Sequence, residues 1–199
     1  MNEDIVPIKP VHDSPTHTHK PSGVKEFIKF AVIVVVVVLG VRTYIAQPFV
    51  VSGASMVPTF TDANYLIIDE LTYRFEEPKR GDVIVFHPPK DPRNYYIKRI
   101  IGIPGDTVSI SKGVVTIINE EYKDGLVLNE PYINKANPND VYNVKVTEDN
   151  YFVMGDNRPA SYDSRGWGLL PKKNITGRAF LRLFPLNKID LFPGEHPNY

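Results

Sequence analysis

The chemistry that this sequence could perform begins with a serine in a turn. Ser55 stands near Gly53, Ala54 and Pro58, where a strand-like run ends. Small neighbours let another backbone approach its hydroxyl closely, so Ser55 could act as a nucleophile. It could equally be an ordinary turn residue, and this segment alone leaves both interpretations open. The segment is not a G-x-S-x-G nucleophile elbow, because Val57 takes the place of the second glycine.

A serine nucleophile needs a base, and the sequence offers few histidines for that role. Beyond the N-terminal tail they are His87 and His196. A lysine can replace histidine if desolvation or a nearby cation lowers its pKa enough to keep the amine neutral. Lys98 is a candidate in the strand-like run YIKRII, where the adjacent Arg99 faces the opposite side. Either one of these cations lies on the inward face or both faces are covered. The alternative is that Lys98 is an exposed residue of an edge strand.

A third concentration of polar residues lies between residues 155 and 168. Its Asp, Asn and Ser residues favour Asx and Ser turns, and its arginines could pair with Asp carboxylates. A turn network therefore accounts for the segment structurally. In the functional interpretation, a serine here hydrogen-bonds the lysine amine and orients it, as the third member of a triad does.

Short β-branched runs, separated by Gly, Pro and Asp turns, predict one all-β domain from residue 47 onward. A mostly antiparallel sheet or a partly closed barrel suits the prolines between these runs. Residues 119–149 are rich in Asn, Asp, Lys and Pro and are interpreted as a hairpin or loop excursion. The predicted strands cover residues 49–52, 64–69, 82–86, 95–103, 106–110, 113–118, 150–154 and 178–184.

An apolar run over residues 27–46 predicts a single transmembrane helix. Its centre, residues 31–41, has no polar residue, and Lys29 and Arg42 lie near its ends, where long side chains can reach the interface. A cleaved signal peptide fits less well because a long polar tail precedes the run and Arg42 follows it. A buried strand fits less well because the run is too long and is flanked by cations.

The charge bias around this run predicts its orientation. Four lysines precede the centre of the run and Arg42 alone follows closely, which favours a cytoplasmic N-terminus. Residues 1–26, with prolines among polar residues, are predicted to form a disordered cytoplasmic tail. Residues 27–46 would then span the plasma (inner) membrane once, and residues 47–199 would form an extracytoplasmic, β-rich catalytic domain.

Composition excludes several other classes of function. Lys plus Arg and Asp plus Glu number 23 each, and no basic stripe interleaved with aromatic residues appears, so nucleic acid is not an expected partner. The absence of cysteine excludes disulfides, thiolate nucleophiles and Cys-ligated zinc.

Four segments, taken together and in order, resemble the bacterial type I signal peptidases with one transmembrane anchor. The resemblance covers the apolar run and nearly all of the chain after it, and it implies a signal-peptidase-like β domain behind a single N-terminal transmembrane helix. The segments are residues 53–59 (GASMVPT), 80–82 (RGD), 96–106 (YIKRIIGIPGD) and 155–165 (GDNRPASYDSR).

The resemblance also implies roles for individual residues. Ser55 matches the nucleophile, Lys98 the general base and Ser161 the serine that hydrogen-bonds the lysine. Gly53 stands where some members carry a serine as an oxyanion donor, which leaves the Ser55 backbone N–H as the main donor. Met56, Asp163 and Arg165 match residues that support the dyad. Phe49, Val51 and Ile97 match positions lining the pockets for substrate residues one and three places before the cleavage point.

The implied function is that of a membrane-bound serine endopeptidase that removes N-terminal signal peptides from exported preproteins after small residues of the Ala-x-Ala type. No metal or cofactor is needed. The expected partners are signal peptides, the lipid bilayer and a nearby secretion translocon.

Two other classes of protein share some of these features. A self-cleaving repressor protease shares a Ser–Lys dyad and a related β-fold, but it would need a DNA-binding domain, and no helix-turn-helix pattern appears. A membrane-tethered β-sheet binding module would keep its activity without Ser55.

Overall fold

The computed structural model describes residues 23–44, 46–133 and 135–195; the side chains of residues 39, 41–44 and 46 are not described. The chain divides into two compact units between Leu39 and Gly40. The predicted tail falls largely on residues 1–22, outside the described residues.

The first described element is the helix α1, Gly23–Tyr44. It begins four residues before the predicted start at residue 27, because Lys25 and Glu26 are good helix formers and Glu26 favours a first turn. Most of its apolar side chains from Val24 to Val38 are exposed. In the part of the chain that the structure describes, no helix is both long and apolar enough to cross a membrane. The predicted segment, residues 27–46, runs into the residues whose side chains are not described.

The remaining described residues form two antiparallel sheets. The larger sheet has the order β1-β2-β11-β3-β4-β9-β10, with β12 paired to β11, and the smaller has the order β7-β6-β5-β8. This confirms the predicted all-β, mostly antiparallel domain. The strands are β1 Ala46–Val50, β2 Tyr65–Asp69, β3 Val83–Phe86, β4 Tyr96–Gly102, β5 Thr107–Ser111, β6 Val114–Ile118, β7 Leu126–Val127, β8 Val141–Lys145, β9 Asn150–Met154, β10 Leu170–Pro171, β11 Ile175–Phe184 and β12 Asp190–Leu191.

Both faces of the larger sheet are covered by apolar side chains. On β3, Val83 and Val85 belong to one core cluster with Met56 and Phe60, whereas Ile84 and Phe86 pack in another with Trp167. All four β3 residues are buried for this reason. A third cluster fills the space between β9 and the smaller sheet. A polar side chain on a central strand of this sheet is therefore surrounded largely by apolar side chains, whichever face it points to.

Residues 119–149, predicted to form a hairpin or loop excursion, contain regular structure. They include β7 and β8, and β8 pairs along its whole length with β5, from Thr107↔Lys145 to Ser111↔Val141. The sequence VYNVK carries few buried residues, so its weak apolar alternation did not distinguish it from a loop. The two-residue strands β10 and β12 are too short to leave a pattern at all.

Candidate active site

The two residues predicted to form a dyad are in contact. Lys98 Nζ lies 2.7 Å from Ser55 Oγ and donates a second hydrogen bond of 2.9 Å to the Ile97 carbonyl oxygen. Lys98 comes from the middle of β4, and Ser55 comes from the turn that follows β1. Their separation of 43 positions in sequence is closed by the tertiary fold.

Lys98 is buried because its strand is central and not at an edge. β4 lies between β3 and β9, where Ile84 pairs with Lys98 and Val83 with Arg99. The two cations thus point to opposite faces, and both are buried, at 4% and 0% exposure. The sequence left open whether both faces of this strand are covered or whether Lys98 is exposed on an edge strand. The first alternative is confirmed and the second is wrong.

Burial changes the acidity of the Lys98 amine. Desolvation lowers the pKa of Lys98 from 10.5 to about 8, and the negative charges of Asp163 and Asp156 oppose this effect. A substantial fraction of the amine is therefore neutral at mildly alkaline pH, and a neutral amine in hydrogen-bond contact with a hydroxyl can accept its proton.

The backbone around Ser55 is held by the turn at residues 155–158, here called the catalytic turn. The Asn157 backbone N–H donates to the Ser55 carbonyl oxygen at 3.0 Å, and its side-chain Nδ2 donates to the Ala54 carbonyl oxygen at 2.9 Å. Gly155 allows this close approach, since a Cβ there would lie 2.4 Å from the Ser55 carbonyl oxygen and 2.3 Å from Ser161 Oγ. A side chain at position 155 would push the two segments apart.

Ser161 Oγ and the Ser55 carbonyl oxygen lie on the same side of Gly155, since a Cβ there would meet both. Ser161 Oγ is buried and has no hydrogen-bond partner in the described part of the chain. The expected hydrogen bond to Lys98 is therefore not formed in this structure. A buried hydroxyl without a partner costs about 1–3 kcal/mol.

Asp163 and Arg165 form an ion pair behind the catalytic turn. The Arg165 guanidinium donates from Nε to Asp163 Oδ1 at 2.9 Å and from a terminal nitrogen to Oδ2 at 2.8 Å. The same carboxylate accepts the Gly155 backbone N–H at 3.1 Å and is 1% exposed. The pair thus fixes the start of the turn without contacting Ser55 Oγ. Met56 is 1% exposed and packs in the core next to Ser55.

A cleft of about 490 Å³ opens in front of the dyad. Phe49, Val51 and Ile97, the residues expected to form substrate pockets, line it together with Ser55 and Lys98. The sequence did not assign its three tyrosines, Tyr95, Tyr96 and Tyr162, to the cleft. The Tyr95 ring packs edge-on against Phe49, with the ring centres 4.9 Å apart. The apolar wall and the reactive pair therefore share one depression.

Two backbone N–H groups of the serine turn have different roles. Gly53 N–H donates to Asp62 Oδ1 at 2.9 Å, and Gly53 has φ of +95°, a conformation in which serine would be strained. Ser55 N–H donates no hydrogen bond among the described residues. It is thus available to a negatively charged oxygen next to the Ser55 hydroxyl.

The sequence did not assign a function to the buried pair of Arg99 and Asp156. Arg99 donates from Nε to Asp156 Oδ1 at 2.9 Å and from a terminal nitrogen to Oδ2 at 2.7 Å, and both side chains are fully buried. Thr59 Oγ1 donates to the same carboxylate at 2.5 Å. The pair joins β4 to the catalytic turn. The only signal for it in the sequence was an arginine adjacent to Lys98 in a strand-like run.

Comparison with known proteins places this chain in a family. The family model described as "Signal peptidase, peptidase S26" matches residues 24–184. The chain is 39% identical to "Probable signal peptidase I-2" of Synechocystis sp. over 175 residues, which is 85% of this chain and 78% of the relative. It is 36% identical to "Signal peptidase I" of Leptolyngbya laminosa over 197 residues, which is 96% of this chain and 94% of the relative.

One solved structure, a signal peptidase I from Enterococcus faecalis V583, is 30% identical with a TM-score of 0.44, covering 52% of this chain and 97% of that chain. The family model spans most of the chain, and the relatives align over most of their own lengths. The chain therefore belongs to the signal peptidase family, peptidase S26.

Proposed function

We propose that this peptidase removes N-terminal signal peptides from exported preproteins, with Ser55 as nucleophile and Lys98 as general base. The observation that carries the proposal is the 2.7 Å contact between a buried amine and a serine hydroxyl at the floor of an apolar cleft. A lysine buried in this way is costly to the fold, and a lowered pKa in a cleft is typical of functional groups.

The reaction proceeds in two halves. In the first, neutral Lys98 Nζ takes the Ser55 Oγ proton while Oγ attacks the scissile carbonyl carbon. The oxygen of the tetrahedral intermediate accepts a hydrogen bond from Ser55 N–H. The C–N bond then breaks, and the Lys98 ammonium gives its proton to the leaving amine. An ester between Ser55 and the signal peptide remains, and the mature protein is released.

In the second half, Lys98 Nζ takes a proton from water as the water oxygen attacks the ester carbonyl. Collapse of the second intermediate breaks the bond to Ser55 Oγ, which recovers its proton from Lys98. The products are the signal peptide with a free carboxylate and the original enzyme. Every proton is exchanged between substrate, water and these two side chains.

Ser161 is proposed to orient Lys98 during this cycle. Its buried, unpartnered hydroxyl next to the Ser55 backbone supports this role, since a hydrogen bond to the lysine amine would satisfy the oxygen. Asp163 and Arg165 are proposed to support the dyad by fixing the catalytic turn, and Met56 by packing beside Ser55.

Specificity for small residues is proposed to come from the cleft walls. Phe49, Val51 and Ile97 line it with apolar surface and leave room for short side chains such as Ala one and three places before the cleaved bond. The expected substrates are therefore preproteins with Ala-x-Ala sites.

Residues 27–46 are proposed to anchor the chain in the plasma (inner) membrane, with residues 47–199 outside. The exposed apolar side chains of α1 and the lysines that precede the run support the proposal. Such an anchor would bring the enzyme to signal peptides near the secretion translocon.

Because the chain lacks cysteine, single substitutions Ser14→Cys and Lys123→Cys test the orientation by labelling whole cells with a membrane-impermeant maleimide. Labelling of Lys123→Cys alone is expected, and labelling of Ser14→Cys alone would reverse the orientation.

The proposed activity is tested with purified, detergent-solubilised enzyme and a model preprotein carrying an Ala-x-Ala site. Wild type is expected to cut at that site, and Ser55→Ala and Lys98→Ala are expected to lose most of the rate, because the members of a dyad act as a unit. Cleavage that survives both substitutions would overturn the mechanism. No cleavage by wild type would instead favour a binding module.

A further inference from the structure

The excursion, residues 119–149 apart from residue 134, contacts the catalytic turn through a buried ion pair. The Glu130 carboxylate accepts two hydrogen bonds from the Arg158 guanidinium. Arg158 Nη1 donates to Glu130 Oε2 at 3.0 Å, and Arg158 Nη2 donates to Glu130 Oε1. Their side chains are only 6% and 2% exposed. Removing one partner of such a pair leaves an uncompensated charge in the interior, so this contact has large consequences when broken.

Tyr132 ties the same carboxylate to the strand that carries Lys98. Its hydroxyl donates to Glu130 Oε1 at 2.7 Å, and the Arg99 guanidinium carbon lies 3.9 Å from the centre of its ring. A guanidinium stacked on an aromatic face at this distance is held by a cation–π interaction. One short segment of the excursion thus contacts both Arg99, which follows Lys98 on β4, and Arg158 of the catalytic turn.

A third contact lies further along the excursion. The Asp140 carboxylate accepts a hydrogen bond from the Arg165 guanidinium, which also binds Asp163 and donates to the Arg158 carbonyl oxygen at 2.8 Å. The base of the excursion is itself fixed, since Leu128 and Val146 are buried in the core of the smaller sheet. The contacts therefore extend from a packed core and do not depend on a freely moving loop.

Arg158 connects the excursion to the backbone of Ser55 through the catalytic turn. Arg158 Nε donates to the Gly155 carbonyl oxygen at 3.1 Å, which fixes the catalytic turn from behind. From the front of that turn, Asn157 N–H binds the Ser55 carbonyl oxygen at 3.0 Å. The carboxylate of Glu130 is therefore separated from the Ser55 backbone by Arg158 and one turn.

We infer that the excursion positions the nucleophile of this enzyme, with Glu130 as the chief positioning residue acting through Arg158. The inference rests on the proposed role of Ser55. The excursion does not touch the reacting atoms. It fixes the distance between Ser55 Oγ and Lys98 Nζ, and displacement of a reacting group by about 1 Å can cost about 100-fold in rate.

The test compares Glu130→Gln with Glu120→Ala in the full chain. Glu120 is an exposed carboxylate of the same excursion with no hydrogen bond to the catalytic turn, so its variant controls for loss of charge. Glu130→Gln keeps the side-chain size and removes the charge. We expect kcat to fall by about 10- to 100-fold with KM within about twofold, whereas Glu120→Ala matches wild type.

A second measurement does not depend on catalysis. Hydrogen exchange of the Asn157 amide reports the hydrogen bond to the Ser55 carbonyl oxygen. It is expected to become at least about tenfold faster in Glu130→Gln and to stay unchanged in Glu120→Ala. If wild type proves inactive, or cuts without Ser55, the proposed function fails, and the exchange of Asn157 still decides whether Glu130 holds the turn.

A double variant, Glu130→Leu with Arg158→Met, separates positioning from stability. Replacing both charges removes the uncompensated charge, so thermal stability is expected to return toward wild type while kcat stays low. Recovery of kcat together with stability would overturn the inference. So would unchanged exchange at Asn157 combined with wild-type kcat in Glu130→Gln.

Discussion

At the scale of single residues, the proposed chemistry depends most on the acidity of Lys98. Its amine has a pKa of about 8 in the folded protein because burial removes the water that would stabilise the ammonium. A base must be neutral, so kcat/KM for a signal-peptide substrate is expected to rise with pH through about 8 and to level off above it. A profile that is flat between pH 6 and 10 would contradict the assignment of Lys98 as base. Lys98→Arg is the control, since a guanidinium stays charged over this range.

The same acidity predicts the pH dependence of stability. The pKa of Lys98 is about 8 in the folded protein, against its ordinary value of 10.5 in the unfolded chain. Between these values the unfolded state binds more protons, so the free energy of unfolding contributed by this group rises with pH across that window. Denaturant unfolding of wild type and Lys98→Met at pH 8 and at about pH 10 measures the difference. A smaller gain in wild type than in the variant would contradict the sign.

Gly155 is the residue whose lack of a side chain brings the catalytic turn onto Ser55. In Gly155→Ala the new Cβ would meet the Ser55 carbonyl oxygen at 2.4 Å, so the turn or the nucleophile must move. We expect kcat to fall by about 100-fold while the chain still folds. Gly23→Ala is the matched control, since its Cβ would have nothing within 4 Å. Equal activity of the two variants would show that catalysis does not require the close contact between the catalytic turn and the Ser55 backbone.

At the scale of elements, the pair of Arg99 and Asp156 joins the central strand β4 to the catalytic turn. Asp156→Ala leaves the Arg99 guanidinium buried without its carboxylate, and we expect a loss of about 3–5 kcal/mol in the free energy of unfolding. Denaturant titration measures it. The exposed pair of Lys79 and Glu76 is the comparison, where Glu76→Ala is expected to cost less than about 1 kcal/mol. Equal losses would mean that the buried pair does not hold the elements together.

The elements also differ in how far sequence could predict them. The strands β3, β4 and β9 were predicted within one residue or so at each end, because their β-branched runs are bounded by turn residues. β8 was missed because its alternation is weak and its stability comes from pairing with β5. Propensity within a segment cannot reveal a partner that lies some 30 residues away in sequence.

At the scale of the whole molecule, the chain separates at the boundary between Leu39 and Gly40. A chain that begins at Gly40 is expected to keep kcat on a short soluble peptide within about threefold of the full chain, because the dyad, the cleft and the catalytic turn all lie in the second unit. It is expected to leave the membrane fraction when cells are fractionated. A large loss of kcat would show that the first unit contributes to the site. Retention in the membrane fraction would show that residues 27–46 are not the sole anchor.

The sequence by itself determined the β class of the domain and the family, and it predicted which residues are the candidates for the reaction. Ser55, Lys98, Phe49, Val51 and Ile97 were predicted before any geometry, since local motifs in a fixed order carry that information, and the fold gathers them at one cleft. The tertiary structure alone decided that Lys98 is buried. Burial depends on which strands flank β4, and those neighbours are distant in sequence.

The tertiary structure also decided what surrounds the dyad. The contacts of Arg99 with Asp156 and of Arg158 with Glu130 join segments 57 and 28 positions apart, and the excursion gave no local pattern that pointed to the site. Ion pairs of this kind leave no periodicity in a sequence, because either partner alone resembles an ordinary surface charge. Only the folded structure shows that the two charges of each pair are removed from water and neutralise each other.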